Sequence, residues 1–488
     1  GNKMGKIAEL REQLLKKERS CTELTESYLR AIEKKNPVLN AYVKVTPEEA
    51  LSAAKRVDEK LAAGEPLAPL EGIPMALKDN LSTKGLETTC CSKILKGYVP
   101  IYDATVWAEL KRKNAVLLGK VNMDEFAMGS ASETSCFGPP KNPFDTGHVA
   151  GGSSGGAASA VAGGLAAYAL GSDTGGSIRQ PASFCGLTGL KPTYGAVSRY
   201  GLIAYASSFD QIGPLALDAA DAALVFDAIS GADPMDSTST GSPAPAVPQL
   251  ELPLAGKKVG LAHEYFDGVG EEVKKAVLEA AEVYRSLGAE VVELSLPELK
   301  FALPVYYILA CTEASSNLAR YDGIRYGYQA EHYNGVNDRI ARTRSEAFGP
   351  EVQRRILLGN YVLSSGYYDA YYKKAQSLRG TIVHAFDEAF QKCDLLLTPT
   401  VPSTAFPLGF TAQSKGEAYL PDICTVPVNI CGLPALSEPC GFDKKGLPIG
   451  MQLIGTRNAD ALLLAAAHQY EKATGFSMLK TPGTEVQK

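Results

Sequence analysis

The sequence predicts a single large α/β domain, a central mixed β-sheet flanked by helices, and three observations lead there. Short apolar runs at residues 74–77, 115–118 and 166–170 alternate with helix-like sequence such as 105–113. Residues 258–263, 271–287 and 289–294 then read as strand, helix and strand. Finally, 488 residues contain one clear loop-rich break, 232–256, where Pro234, Pro243, Pro245, Pro248 and Pro253 stand among Ser, Thr and Gly. With no internal repeat, a length sufficient for two or three average domains reads as one.

In chain order, residues 6–35 form two amphipathic helices. A capping box at Ser20-Cys21-Thr22-Glu23 opens the second, and Asn36-Pro37 is expected to stop it. A third helix, about 47–63, ends at Gly64. The Gly- and Ala-rich stretch 151–172 fits a buried helix, whose end competes with the strand read over 166–170. Residues 300–390 read mostly helical and carry 11 of the 23 tyrosines. Strand-like runs at 394–397 and 449–453 and a helix over 458–474 complete the chain. The expected division is N-terminal helices (6–63), a core (about 70–230), the Pro-rich loop (232–256) and a helical, Tyr-rich insertion (about 300–390).

A hydrophobic fraction of 45%, a charged fraction of 21% and a net charge of −5 describe an ordinary soluble globular protein and argue against broad coating of nucleic acid. Ten cysteines with no Cys-x-x-Cys pair form neither a disulfide framework nor a zinc site. Reduced thiols in a cytoplasmic protein are expected. Residues 1–6 hold no apolar run, so no secretory leader is expected, and Met4 suits a natural start. The stretch 151–172 has too short an apolar core to span a bilayer.

The chemistry lies in two serine-glycine clusters, Gly151-Gly152-Ser153-Ser154-Gly155-Gly156 and Asp173-Thr174-Gly175-Gly176-Ser177-Ile178-Arg179, and an upstream lysine, Met75-Ala76-Leu77-Lys78-Asp79. Glycine beside serine brings main-chain N–H groups close to a reacting oxygen. A serine hydroxyl needs a base. Gly152-Ser153-Ser154-Gly155-Gly156 also matches the nucleophile elbow of an α/β-hydrolase, with Ser154 attacking. That fold requires a late histidine, and His384 and His468 both fall in predicted helices. A phosphate-binding loop fails for want of its Gly-Lys-Ser/Thr ending. Either glycine cluster alone fits a tight turn, and Lys78 alone fits a surface lysine. As a base, Lys78 must be neutral, which requires burial to bring it from about 10.4 to about 7–8. Its apolar neighbours suit that demand, and Asp79 would oppose it if it pointed inward.

The two clusters, the lysine segment, Gly119-Lys120-Val121-Asn122-Met123-Asp124-Glu125-Phe126 and Gly189-Leu190-Lys191-Pro192-Thr193-Tyr194-Gly195 together resemble the amidase signature family. The resemblance implies a Ser–Ser–Lys triad, with Ser177 as nucleophile, Ser153 as bridging serine and Lys78 as base. It also implies a cis Gly152–Ser153 peptide and an oxyanion hole from Thr174, Gly175 and Gly176. Asp173 and Arg179 are expected to brace the loop. Ala157 and Ala196 depart from the residues common in the signature, at positions that carry no catalysis.

Leu309-Ala310-Cys311-Thr312-Glu313-Ala314, Tyr321-Asp322-Gly323-Ile324-Arg325-Tyr326-Gly327, Ser364-Ser365-Gly366-Tyr367-Tyr368-Asp369-Ala370-Tyr371-Tyr372 and Leu396-Leu397-Thr398-Pro399-Thr400 narrow the resemblance to the A subunits of glutamyl-tRNA(Gln) amidotransferases, over nearly the whole chain. It implies a glutaminase whose ammonia converts Glu-tRNA(Gln) to Gln-tRNA(Gln). The implied partners are a B subunit, which uses ATP and Mg²⁺ and makes most tRNA contacts, and a small C subunit. No cofactor or metal is expected in this chain. Free glutamine is a zwitterion and needs a cation and an anion. By resemblance these are Arg355, of the Arg354-Arg355 pair, and Asp422. Tyr306, of Tyr306-Tyr307, and Gly129 and Ser130 complete the pocket. The competing functions are a free-standing amidase for other amides and a structural member without turnover.

Overall fold

The computed structural model describes residues 5–241, 243–410 and 417–475. The start expected at Met4 lies outside them. Thirteen strands occur among the described residues. They are β1 (Tyr42–Val45), β2 (Pro74–Lys78), β3 (Val116–Val121), β4 (Lys141–Asn142), β5 (Asp145–Val149), β6 (Tyr168–Asp173), β7 (Thr188–Lys191), β8 (Gln211–Ala216), β9 (Lys258–Ala262), β10 (Glu290–Leu294), β11 (Leu395–Pro399), β12 (Ala435–Phe442) and β13 (Pro448–Gly455). Eleven form one mixed sheet in the order β1-β3-β2-β6-β8-β7-β12-β13-β11-β9-β10, while β4 and β5 pair separately. The strands β3, β2 and β6 run parallel, as do β11, β9 and β10, and the junctions between these groups are antiparallel.

Side-chain alternation divides the core into two faces. Leu395 and Leu397 join the apolar cluster that includes Ile7, Phe226, Tyr284 and Leu463. Leu396 joins a second cluster with Leu309, Ile356 and Phe386. The N-terminal helices and those over Ala219–Ile229, Glu271–Ser286 and Asp460–Thr474 therefore cover one face. Helices Ala302–Asn317, Pro350–Leu363 and Lys374–Ala389 cover the other.

Several expectations change. The second N-terminal helix has the capping box at Ser20 but runs through Pro37 to Leu39. Proline removes only its own N–H bond there. Asn36 meanwhile secures the turn, accepting from the Tyr42 N–H and donating to the Tyr42 carbonyl. The stretch 151–172 is not one helix: helix Gly155–Ala162 ends at Gly163, and β6 follows. The strands β7 and β8 and the eight-residue β12 did not stand out in the sequence, because Gly189, Gly213, Pro214, Pro439 and Gly441 interrupt them. Pro439 is tolerated beside a bulge in the β12–β13 pairing.

Candidate active site

The parallel strands β3, β2 and β6 end together, and their carboxyl ends present Asn122–Asp124, Lys78 and Ser172–Asp173, where open α/β sheets place ligands. Lys78 is completely buried at the end of β2. Its Nζ lies 2.7 Å from Ser153 Oγ, 2.8 Å from Ser154 Oγ and 2.8 Å from Ser172 Oγ. Burial lowers its pKa to about 7, against the opposing fields of Asp124, Asp173 and Asp210. Asp79 points elsewhere: its carboxylate accepts from the Thr89 N–H and lies 3.3 Å from Lys120 Nζ.

The Gly152–Ser153 peptide is cis. Two groups hold the segment around it. Gln180 accepts the Gly152 N–H at 2.9 Å and donates to the Ser130 carbonyl at 2.6 Å. Asp124 accepts from the Ser132 N–H and Thr134 Oγ1, while its own N–H donates to the Ser153 carbonyl. A Cβ on Gly152 would stand 2.1 Å from Asp124 Oδ2, so the close approach of that carboxylate requires glycine. Asp124 also crowds Gly129, its Oδ1 lying 2.4 Å from where a Cβ would be. Gly129 and Ser130 thus border the cis peptide.

Ser177 lies in the loop that follows β6, just before Ile178 caps the short helix Arg179–Phe184, and is 8% exposed. Its hydroxyl forms no hydrogen bond among the described residues. Asp173 and Arg179 brace this loop as the sequence predicts. The arginine donates to both carboxylate oxygens at 2.9 and 3.0 Å, and also to Gln452, Asn429 and the Thr425 carbonyl. Burial works against ionisation of Asp173, but Arg179 and Asn429 hold it well below the usual carboxylate range. Of the expected oxyanion donors, one N–H already has an acceptor. The Gly176 N–H is committed to Asp173 Oδ1 at 2.9 Å. The N–H groups of Thr174, Gly175 and Ser177 have no acceptor among the described residues. Gly176 is still required: its φ is +132°, and a Cβ would meet Thr425 Oγ1 at 2.2 Å.

A second cluster adjoins this loop. Arg355, in helix Pro350–Leu363, is 5% exposed; its Nε donates to Glu351 at 2.9 Å and one NH group to the Tyr205 hydroxyl at 2.8 Å. Arg354 is exposed and pairs with Glu351 at the surface. Of the two tyrosines, Tyr307 contacts Arg355 and Asp422 directly, and the Tyr306 ring stands beside it at a centroid distance of 5.0 Å. The Tyr307 hydroxyl donates to Asp422 at 2.9 Å, and its ring centroid lies 5.2 Å from the Arg355 guanidinium. Tyr306 instead packs its ring against Gly175, leaving no room for a Cβ there. Adjacent helix positions point about 100° apart, and the sequence alone could not choose between them. Burial pushes the half-buried Asp422 up to about 7, with Tyr307 and Arg355 pulling it down. Thr425 Oγ1 lies 2.6 Å from the Gly175 carbonyl and 3.1 Å from the Asp422 carbonyl, tying the two clusters together.

Ser154 and Ser172 complete the ring of hydroxyls around Lys78. The sequence offered Ser154 only as an elbow nucleophile and gave Ser172 no role. The elbow reading of Ser154 does not survive: β5 lies outside the main sheet, and Ser154 Oγ contacts Lys78 and the Ser172 carbonyl. His384 and His468 do lie in helices, and His468 faces Glu251. All ten cysteines are free thiols. Among the described residues no helix is long and apolar enough to cross a membrane, and no three His, Cys, Asp or Glu side chains gather as a metal site.

The sequence profile of the amidase family matches residues 23–464. The chain belongs to the amidase family. Amidases similar to it include the A subunit of the glutamyl-tRNA(Gln) amidotransferase of a Cyanothece species, 52% identical over 96% of this chain and 98% of the relative. Among solved structures, the A subunit from Thermotoga maritima is 40% identical, with a TM-score of 0.78 over 93% of this chain and 91% of that one. A bacterial aryl acylamidase reaches a higher TM-score, 0.86, at only 27% identity, covering 98% of both chains. Backbone similarity therefore does not rank these amidases by substrate.

Proposed function

We propose that this amidase is the glutaminase subunit of a glutamyl-tRNA(Gln) amidotransferase. The observation that carries the reading is the Arg355–Tyr307–Asp422 cluster, linked through Thr425 to the loop bearing Ser177. A free α-amino acid presents one carboxylate and one ammonium, and this cluster supplies one buried guanidinium and one carboxylate. An uncharged aryl amide would bring a charge to neither group, leaving Arg355 with Glu351 alone as its carboxylate partner and the Asp422 carboxylate without an ammonium.

In this reading Lys78 acts as the neutral amine. Its two hydrogens go to Ser154 and Ser172, which leaves the lone pair for the Ser153 hydroxyl. Ser153 passes its proton to Lys78 while taking the proton of Ser177. The Ser177 oxygen bonds to the glutamine side-chain carbonyl carbon. The oxyanion is held by the N–H groups of Thr174, Gly175 and Ser177. Collapse of the tetrahedral intermediate breaks the C–N bond, and the relayed proton leaves with the nitrogen as ammonia. Water then attacks the acyl-enzyme with the same relay as base, releasing glutamate. Gly129 and Ser130 border the relay. The B subunit uses ATP and Mg²⁺ to activate the tRNA-bound glutamate and makes most of the tRNA contact. The small C subunit finishes the assembly, and the complex works in the cytoplasm.

The test is ammonia release from glutamine by the chain with its partner subunits. Ser177→Ala and Lys78→Ala are expected to abolish it and His468→Ala to preserve it. Loss in His468→Ala with Ser177→Ala still active would reject the Ser–Ser–Lys assignment.

A further inference from the structure

Glu125 is a buried carboxylate that the relay does not use. It is 3% exposed and lies directly after Asp124, whose contacts hold the Gly152–Ser153 segment. Its own contacts run in another direction. Oε1 accepts from Ser92 Oγ at 2.6 Å, and both carboxylate oxygens accept the Gly349 N–H, at 3.1 and 2.9 Å. Gly349 is the N-cap of helix Pro350–Leu363 and brings no side chain of its own to that end. Pro350 has no N–H, so the Gly349 N–H is one of three main-chain donors at this helix start without an intrahelical partner, and an oxygen acceptor placed there is stabilising. A Cβ on Gly349 would stand 2.4 Å from Glu125 Oε2, so the cap is a close fit of carboxylate to backbone. The next residue supports the same junction: the Phe126 ring packs on Phe348 and Tyr321 at centroid distances of 5.8 and 5.1 Å.

Helix Pro350–Leu363 carries Arg355 in its second turn. The turn Asp124–Phe126 therefore grips the relay segment through one residue and the start of the arginine helix through the next two. We propose that Glu125 is a positioning residue for substrate recognition: by capping the helix at Gly349 it fixes Arg355 relative to Ser153 and Ser177. This rests on the reading that Arg355 binds the substrate carboxylate. Gln353 ties the same helix start to the Ser345 and Phe348 carbonyls, but the Gly349 N–H rests on Glu125, so loss of the carboxylate lets the helix start shift while the relay, held by Asp124 and Gln180, stays in place.

The test compares glutamine with 4-aminobutanamide, which has the same amide and amine but no α-carboxylate, using the chain with its partner subunits. Glu125→Gln is expected to raise KM for glutamine about tenfold with kcat within about twofold, since a cap loss of this size is ordinary for a buried helix end. Its kcat/KM for 4-aminobutanamide should stay near wild type. Gly349→Ala, which drives the carboxylate away from the other side, should shift KM in the same direction. If either variant unfolds on thermal melting, the other carries the test. Equal loss on both substrates, or a fall in kcat without a rise in KM, overturns the positioning role and makes Glu125 a general structural group. Arg355→Ala separates the premise from the proposal. If it still discriminates between the two substrates as wild type does, the carboxylate reading fails. If it loses discrimination while both cap variants retain it, Glu125 alone is rejected.

Discussion

Lys78 and Arg355 are both cations buried at the site, yet the chain surrounds them differently. Lys78 is ringed by three serine hydroxyls, and no carboxylate hydrogen-bonds to it, so burial prevails and its pKa falls to about 7. Arg355 is given a carboxylate, Glu351, together with the Tyr205 hydroxyl and the Tyr307 ring. A buried charge must lose its proton or gain a partner. Hydroxyls around a lysine produce the first outcome and a base. A carboxylate and aromatic groups around a guanidinium produce the second and a permanent cation, suited in the proposed function to a substrate carboxylate.

The largest expected effect comes from denying Lys78 its neutral state. Lys78→Arg places a group that cannot deprotonate among the same hydroxyls. Glutamine hydrolysis should fall by about 10⁴-fold or more, comparable to Ser177→Ala, because members of such a relay act as a unit. Ammonia release under single-turnover conditions measures it, and a variant within tenfold of wild type would show that Lys78 is not the base.

Next in size is another buried cation, Arg179, which is paired like Arg355 but serves structure. Asp173→Ala leaves its guanidinium without the bidentate partner. Breaking a buried pair on one side costs about 3–5 kcal/mol, read as a lower urea midpoint. The Asp173 pKa is depressed, so the stability it confers is complete above the ordinary aspartate range and is lost only as pH falls towards its much lower folded value.

On the recognition side, Arg355→Lys keeps the charge but loses the planar fork and its stacking against Tyr307. KM for glutamine should rise about 30- to 100-fold with kcat nearly retained, an effect of about 2–3 kcal/mol. A fall in kcat at constant KM would move Arg355 from recognition into the chemistry.

The same contrast explains what could be read in advance. The relay was legible because it is built from contiguous small residues: Ser153, Ser177 and their glycines lie within 27 positions, and backbone constraint writes itself into sequence as glycine. The recognition cluster draws Tyr307, Arg355 and Asp422 from three separated segments. No local pattern states which side chain of a pair turns inward. Neighbouring tyrosines differ by helical phase: Tyr306 faces Gly175 of the Ser177 loop while Tyr307 faces Asp422. The contacts of Ser154 and Ser172 with Lys78 were not legible, because hydroxyls around a lysine carry no signature of their own. In the fold, apolar strands such as β2 and β11 declared themselves, whereas β8, with Gly213 and Pro214 in its centre, did not. The ladder with β7 reaches only Ala216 and Leu215, which lets a proline sit next in line.

The smallest effect is the most discriminating, because Lys78 and Asp422 share a value near 7 from opposite starting points. Both lose function as pH falls through it: Lys78 gains a proton and ceases to be a base, and Asp422 gains one and ceases to hold an ammonium. The free enzyme governs kcat/KM, so its logarithm should fall below pH 7 with a slope approaching two. In the bound complex the substrate ammonium keeps Asp422 ionised, so kcat should fall with a slope of one, set by Lys78. Asp422→Asn should raise KM and reduce the kcat/KM slope to one while leaving the kcat profile in place. A slope of one in both wild-type profiles would mean that Asp422 is already ionised in the free enzyme, with Tyr307 and Arg355 outweighing burial.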